Sequence, residues 1–183
     1  MFASEQTTSV RAAYRVLGID PGLTRCGYAV IDGAAGRNSA VALGVIRTPP
    51  DHALPERLAS LQRELASLIA EFRPDAVAVE QVFFQVNVRT AMSVGQASGL
   101  ALAEASRAGC EVSQYTPNQV KDTIAGWGAA PKAQVQKMVQ MRLGLAKPPQ
   151  PADAADAAAL ALCHLASAPL RRSVAAARSG SGR

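Results

Sequence analysis

Aromatic residues are scarce in this chain, 4% of its 183 residues. Hydrophobic residues still make up 49%, and alanine is abundant, so a core forms but must be built from small aliphatic side chains. The length suits one domain and hardly two. Long apolar runs are missing: none approaches the ~18 residues of a helical membrane span. The polar, alanine-rich stretch Met1 to Ala13 lacks the apolar centre of a secretory signal, so a disordered leader over 1–13 and a cytoplasmic location are expected. Cysteines are few, odd in number and far apart. Cys26, Cys110 and Cys163 form no CxxC pair and no zinc spacing, and read as small buried apolar residues in a reducing compartment. There is no internal repeat, no nucleophile elbow and no Ser-His-Asp order, which removes the common serine hydrolase layouts. His52 stands in a Pro-rich loop, where solvent is its expected partner.

The formal net charge is +5, and its distribution matters more than its size. Residues 169–183 hold Arg171, Arg172, Arg178 and Arg183 and no acid, so the rest of the chain carries only +1. Within it, 121–147 sets Lys121, Lys132, Lys137, Arg142 and Lys147 against Asp122 alone. That local excess is the electrostatic footprint of a nucleic-acid binder. Acids that hold divalent cations would make the loaded protein more positive still.

Periodicity predicts a strand from Arg15 to Asp20, stopped by Pro21-Gly22, then strands over 26–32 and 40–47 in an antiparallel meander. Leu54, Leu58, Leu61, Leu65, Leu68 and Phe72 recur at three- and four-residue steps and predict an amphipathic helix that Pro74 ends. Ala76 to Val82 reads as an apolar strand containing Glu80. A small-residue helix over about 90–108, a strand from Cys110 to Tyr115, and helices starting at Pro117 and Pro131 follow. A last helix is expected from about Ala152 to Ala168, with a disordered basic tail over 169–183. The sum is an α/β domain over 14–168, a mixed five-stranded sheet flanked by helices.

Asp20 is the most informative residue. A carboxylate ending an apolar strand is costly unless water, a cation or a metal meets it. Glu80 repeats the pattern among Val77, Val79 and Val82; alone, it reads slightly better as half of an ion pair with an arginine. Asp153 and Asp156 stand three residues apart, which places both on one face of the last helix, in its first turn. Alone, they read as a helix cap and a complement to the helix dipole. Four such acids together point to metal. Hard oxygen donors from separated segments suit Mg²⁺ or Mn²⁺ rather than zinc. Two ions about 3.5–4 Å apart clamp a phosphodiester, one activating water and the other steadying the leaving oxygen. His164 lies two to three turns further along the helix, too far to join them.

These acids sit inside recognisable motifs. Gly18-Ile19-Asp20-Pro21-Gly22 with Cys26-Gly27-Tyr28, Ala78-Val79-Glu80-Gln81-Val82-Phe83-Phe84, Gly95-Gln96-Ala97 with Gly99, Gln119-Val120-Lys121 with Thr123, Lys132 with Gln134-Val135, and Ala152-Asp153-Ala154-Ala155-Asp156-Ala157 occur in order from Arg15 to Ala166. In these motifs the chain resembles the RuvC family of Holliday-junction resolvases. The resemblance implies a ribonuclease-H-like fold, a homodimer, and Mg²⁺ or Mn²⁺ at Asp20, Glu80, Asp153 and Asp156. It implies paired symmetric nicks in a four-way DNA junction that leave 5′-phosphate and 3′-hydroxyl ends. A branch-migration helicase complex of the RuvA and RuvB type and a short preferred sequence at the cut are implied as well. Phe83 and Phe84 match the aromatic that stacks at the junction centre, and Lys121 and Lys132 match DNA-contacting lysines. Gln85-Val86, ahead of Asn87, depart from the family pattern.

The residues allow a plainer account of each contact. Aromatics beside a strand end are usually core, but Phe83 and Phe84 cannot both face inward on one strand. An exposed one beside a nuclease site replaces a lost base stack. Any single lysine is by default solvated; as phosphate contacts, Lys121 and Lys132 add salt-sensitive affinity. Asn87 and Arg89 are candidates for DNA backbone contacts. The small residues Ala91, Gly95, Ala97, Gly99 and Ala101 fit packing on the sheet or a twofold interface. Three rivals remain: an ATP-binding fold of the actin type, which needs a longer chain; a catalytically silent DNA binder, which has no use for four acids; and a nuclease of the same fold acting on RNA–DNA hybrid.

Overall fold

The computed structural model describes residues 13–34, 36–82 and 88–180, with side chains from 91 to 167 in the last segment. Strands β1 (Tyr14–Asp20), β2 (Arg25–Ala34) and β3 (Arg37–Arg47) form the expected antiparallel meander. Then come α1 (Leu54–Phe72), β4 (Ala76–Glu80), α2 (Val88–Arg107), β5 (Glu111–Tyr115), α3 (Pro117–Ala125), α4 (Lys132–Arg142) and α5 (Ala152–Gly180). The sheet order is β3-β2-β1-β4-β5, with β4 parallel to both β1 and β5. Parallel neighbours need a crossover, and α1 and α2 supply the two required here.

Local chemistry fixes the helix ends. Leu61, Leu65 and Ile69 recur every fourth residue and are buried. Arg73 closes α1 in the left-handed conformation before Pro74. Thr116 and Gln119 form a reciprocal capping box at the start of α3, where Pro117 is preorganised for the first helical position.

The sheet separates two cores of small and medium aliphatic side chains. On one face α3, α4 and α5 bury Ile124, Val139, Leu160 and Leu162. On the other, α1 and α2 bury Leu61, Leu65, Ala97, Ala101 and Ala105. The closest approach is that of α5 to the meander. A Cβ added at Gly18 would lie 2.0 Å from the carbonyl oxygen of Ala157, and one at Gly27 would lie 2.2 Å from that of Asp153. Only glycine allows this contact, and Asp20 pairs with Gly27 across β1 and β2. The start of α5 is thereby pressed against the strand end that carries Asp20.

Three details differ from the expectation. Strand β4 stops at Glu80 rather than Val82, because Glu80 pairs with Tyr115, where β5 gives way to α3. Asp153 lies in the first turn of α5, but Asp156 falls beyond it. The last helix runs to Gly180 instead of ending near Ala168, so 169–180 is helical where an unstructured tail was expected. Leu170, Arg171, Arg172 and Ala175 to Ala177 are strong helix formers and carry the helix past Pro169.

Candidate active site

Asp20 ends β1 and Glu80 ends β4. The two strands are parallel neighbours, in register at Ile19 and Val79, so both acids emerge side by side at the carboxyl end of the sheet. That end of an open α/β sheet is where ligands usually bind. Helix α5 brings Asp153 and Asp156 to the same edge. Asp20 registers the crowding: burial, then the charges of Glu80, Asp156 and Asp153, push its carboxyl up to about 7. Burial and Asp156 also raise Glu80, and a hydrogen bond with Asp20 pulls it part of the way back. Two carboxyl groups bonded to one another need a proton between them.

The cations expected for the strand acids go to the helix acids instead. Arg25, at the start of β2, donates from Nε (3.1 Å) and from its terminal nitrogen to one oxygen of Asp153 and holds that carboxyl below its usual range. Lys132, at the start of α4, donates from Nζ to Asp156 at 2.6 Å. This bond, together with the acids around it, raises the ammonium above its usual range. Both helix carboxylates are thus turned toward protein cations, and among the described residues no three His, Cys, Asp or Glu side chains converge as ligands of one ion. A cavity of about 230 Å³ opens between Glu80, Asp156 and the α3–α4 pair. Glu80, Asp156, Lys121 and Lys132 form its polar side; Val120, Val135 and Leu160 form its apolar side.

The model of the family Crossover junction endodeoxyribonuclease RuvC matches residues 16–164. The chain belongs to the RuvC family. The RuvC proteins of Salinispora arenicola and Thermobifida fusca are similar to it at 54% and 52% identity, over 92% and 90% of this chain and 99% and 91% of theirs. The solved T. thermophilus RuvC in complex with Holliday junction substrate is 38% identical, covers 86% of this chain and 96% of its own, and has a TM-score of 0.82. The yeast mitochondrial Holliday junction resolvase Ydc2, 16% identical over 87% of this chain and 81% of its own, shares the fold at a TM-score of 0.65. The mixed five-stranded sheet with helices on both faces is the ribonuclease-H-like architecture that the motifs implied.

Within this RuvC framework the four acids and two lysines named from the sequence come together. Phe83, Phe84 and Asn87 lie outside the described residues; Arg89 lies on α2, with its side chain outside them. His164 is buried away from the acids, and its Nδ1 bonds Tyr115 Oη at 3.0 Å. His52 is exposed, and all three cysteines are free thiols, Cys26 and Cys163 buried. Arg25 escaped the sequence reading, although it stands inside the first motif. Its signal was a charged residue opening an apolar strand, the same anomaly that singled out Asp20 at a strand end.

Proposed function

We propose that this chain is a metal-dependent endonuclease that resolves four-way DNA junctions by paired symmetric nicks, leaving 5′-phosphate and 3′-hydroxyl ends. One observation carries the site: Asp20 and Glu80 end parallel neighbouring strands and share a hydrogen bond, with Asp153 and Asp156 of α5 beside them. Such a cluster calls for positive charge at the sheet edge. Asp20, Glu80, Asp153 and Asp156 are hard oxygen donors and suit two Mg²⁺ or Mn²⁺ ions once Arg25 and Lys132 yield the helix acids. Such ions supply activated water and stabilisation of the leaving 3′-oxygen.

The other residues have separate tasks on this reading. Lys121 and the released Lys132 meet the phosphates that enter the cavity. Asn87 and Arg89 hold the DNA backbone, and Phe83 or Phe84 stacks at the junction centre. Residues 14–168 form the catalytic unit. A homodimer matches the twofold junction and places one site on each of two opposed strands. A branch-migration helicase of the RuvA and RuvB type is the expected partner. A cytoplasmic location follows from the DNA substrate on this reading; the described residues include no helix long and apolar enough to cross a membrane.

The test is a cleavage assay on a four-way junction, a linear duplex and an RNA–DNA hybrid, in Mg²⁺, Mn²⁺ or EDTA. Paired nicks on the junction alone, lost in EDTA, are expected. Asp20→Asn, Glu80→Gln, Asp153→Asn and Asp156→Asn should each abolish cutting while junction binding survives. Preferred cutting of the hybrid, or normal cutting by two of these variants, would overturn the substrate or the site respectively.

A further inference from the structure

The loop between α3 and α4 carries the chain's single tryptophan, Trp127, set between Gly126 and Gly128 and 49% exposed. A tryptophan left half in water, in a protein with so few aromatics, gives up the largest apolar area the chain has to bury. The loop that holds it packs against α3. Gly126 closes α3 in the left-handed conformation and turns the chain back. Gly128 then lies against Asn118, since a Cβ there would stand 3.5 Å from the Asn118 carbonyl oxygen. Asn118 follows Pro117, which lines the cavity shared by Glu80, Lys121 and Lys132. The loop therefore packs against the first turn of α3, next to a residue that lines that cavity.

Along the chain two lysines flank the loop, with Asp122 the acid beside the first. Lys121 precedes the loop by a turn and a half of helix, and Lys132 follows it at the start of α4. Arg142 has a different job: it donates to the carbonyl oxygens of Thr123 and Ile124 and caps the end of α3. The loop is thus braced from below. A second copy docked through the small-residue helix α2 would not reach Trp127, because α2 packs on the opposite face of the sheet from α3 and α4.

We propose that Trp127 is a DNA contact: its indole packs against a deoxyribose or base of the strand that leaves the catalytic groove, while Lys121 and Lys132 hold the phosphates on either side. An aromatic contact of this kind adds affinity without adding charge. The inference rests on the DNA substrate proposed above.

Because Trp127 is the sole tryptophan, its fluorescence reports on this contact alone. The wild-type chain is titrated with a four-way junction in EDTA, with complex formation followed in parallel by gel mobility shift. Saturating junction should quench the emission and lower its accessibility to acrylamide several-fold. Trp127→Ala should weaken junction binding about tenfold with an unchanged dependence on salt, and Trp127→Phe should restore part of the loss. Thermal melting of Trp127→Ala should match wild type, since the side chain is half exposed. A mobility shift without change in emission or acrylamide access would overturn the contact and leave the junction reading standing. Absence of any mobility shift would overturn both.

Discussion

Arg25 and Asp153 come from opposite ends of the chain, yet Arg25 gives one oxygen of Asp153 two hydrogen bonds at the edge of the carboxylate cluster. Lys132 donates a single hydrogen bond to Asp156 at the same edge. The helix acids are therefore neutralised by protein cations, while Asp20 and Glu80 are left to share a proton. A divalent ion at this edge competes with Arg25 for Asp153. Removing the guanidinium frees the carboxylate and leaves the local field more negative. Arg25→Gln should bind Mn²⁺ about tenfold more tightly than wild type, read by electron paramagnetic resonance or titration calorimetry. Unchanged or weaker binding would show that Arg25 orients Asp153 for the ion instead of competing with it.

The raised carboxyl of Asp20 makes the metal-free protein less stable in base. Asp20 keeps its proton up to about 7 in the folded chain, against a usual value of 3.8. Between those values the folded state binds more protons than the unfolded state, so stability falls as pH rises through the window. The loss is at most about 4 kcal/mol, at ~1.36 kcal/mol per unit. Asp20→Asn cannot ionise and escapes it. In EDTA the variant should melt several degrees above wild type at pH 8 and level with it near pH 4. Equal melting at both pH values would mean that Asp20 is not crowded by its neighbours. Mn²⁺ should raise the wild-type melting temperature at pH 8 more than that of Asp20→Asn.

Much of this site was legible because its signals are local anomalies. A charge at the end of an apolar strand marks Asp20, a charge within one marks Glu80, and a three-residue spacing marks Asp153 and Asp156. The strands, the amphipathic helix α1 and the start of α3 at Pro117 follow from periodicity and turn residues that act within a few positions. What could not be read was partnership. Nothing within the sequence window of Arg25 points to Asp153, 128 positions away; only the approach of α5 over Gly27 joins them. The end of β4 is likewise set by a neighbour, Tyr115, and not by its own residues. An Arg-, Ser- and Gly-rich tail reads as unstructured by composition, yet the helix formers within it carry α5 to Gly180.

Lys121 and Lys132 face the same cavity but start from different states. Lys132 is tied to Asp156, whereas Lys121 reaches the cavity from α3. Each phosphate contact contributes about 0.9 to the slope of log affinity against log salt. Lys121→Ala should reduce the slope of junction binding by about that amount in EDTA. Lys132→Ala should reduce it less until Mn²⁺ is present and Asp156 has released the ammonium. Slopes measured with a catalytically silenced Glu80→Gln background, with and without Mn²⁺, decide the point. Equal losses in both conditions would place Lys132 on DNA from the outset.

Gly18 and Gly27 set the distance between α5 and the sheet, and with it the distance between the two pairs of acids. A methyl at either position collides with backbone, the carbonyl oxygen of Ala157 or of Asp153, and backbone cannot swing aside as a side chain can. The helix must lift. Gly27→Ala moves the first turn of α5, which carries Asp153, and leaves the rest of the helix anchored by Ala157, Ala161 and Leu162. Overpacking of this kind costs typically about 1–3 kcal/mol. The variant should therefore still fold, with a melting temperature lowered by several degrees. Its Mn²⁺ affinity and cutting should fall together, while junction binding persists. Gly18→Ala strikes the helix further along and should cost more stability. Full activity with Gly27→Ala would mean that the acids of α5 do not need their present distance from Asp20.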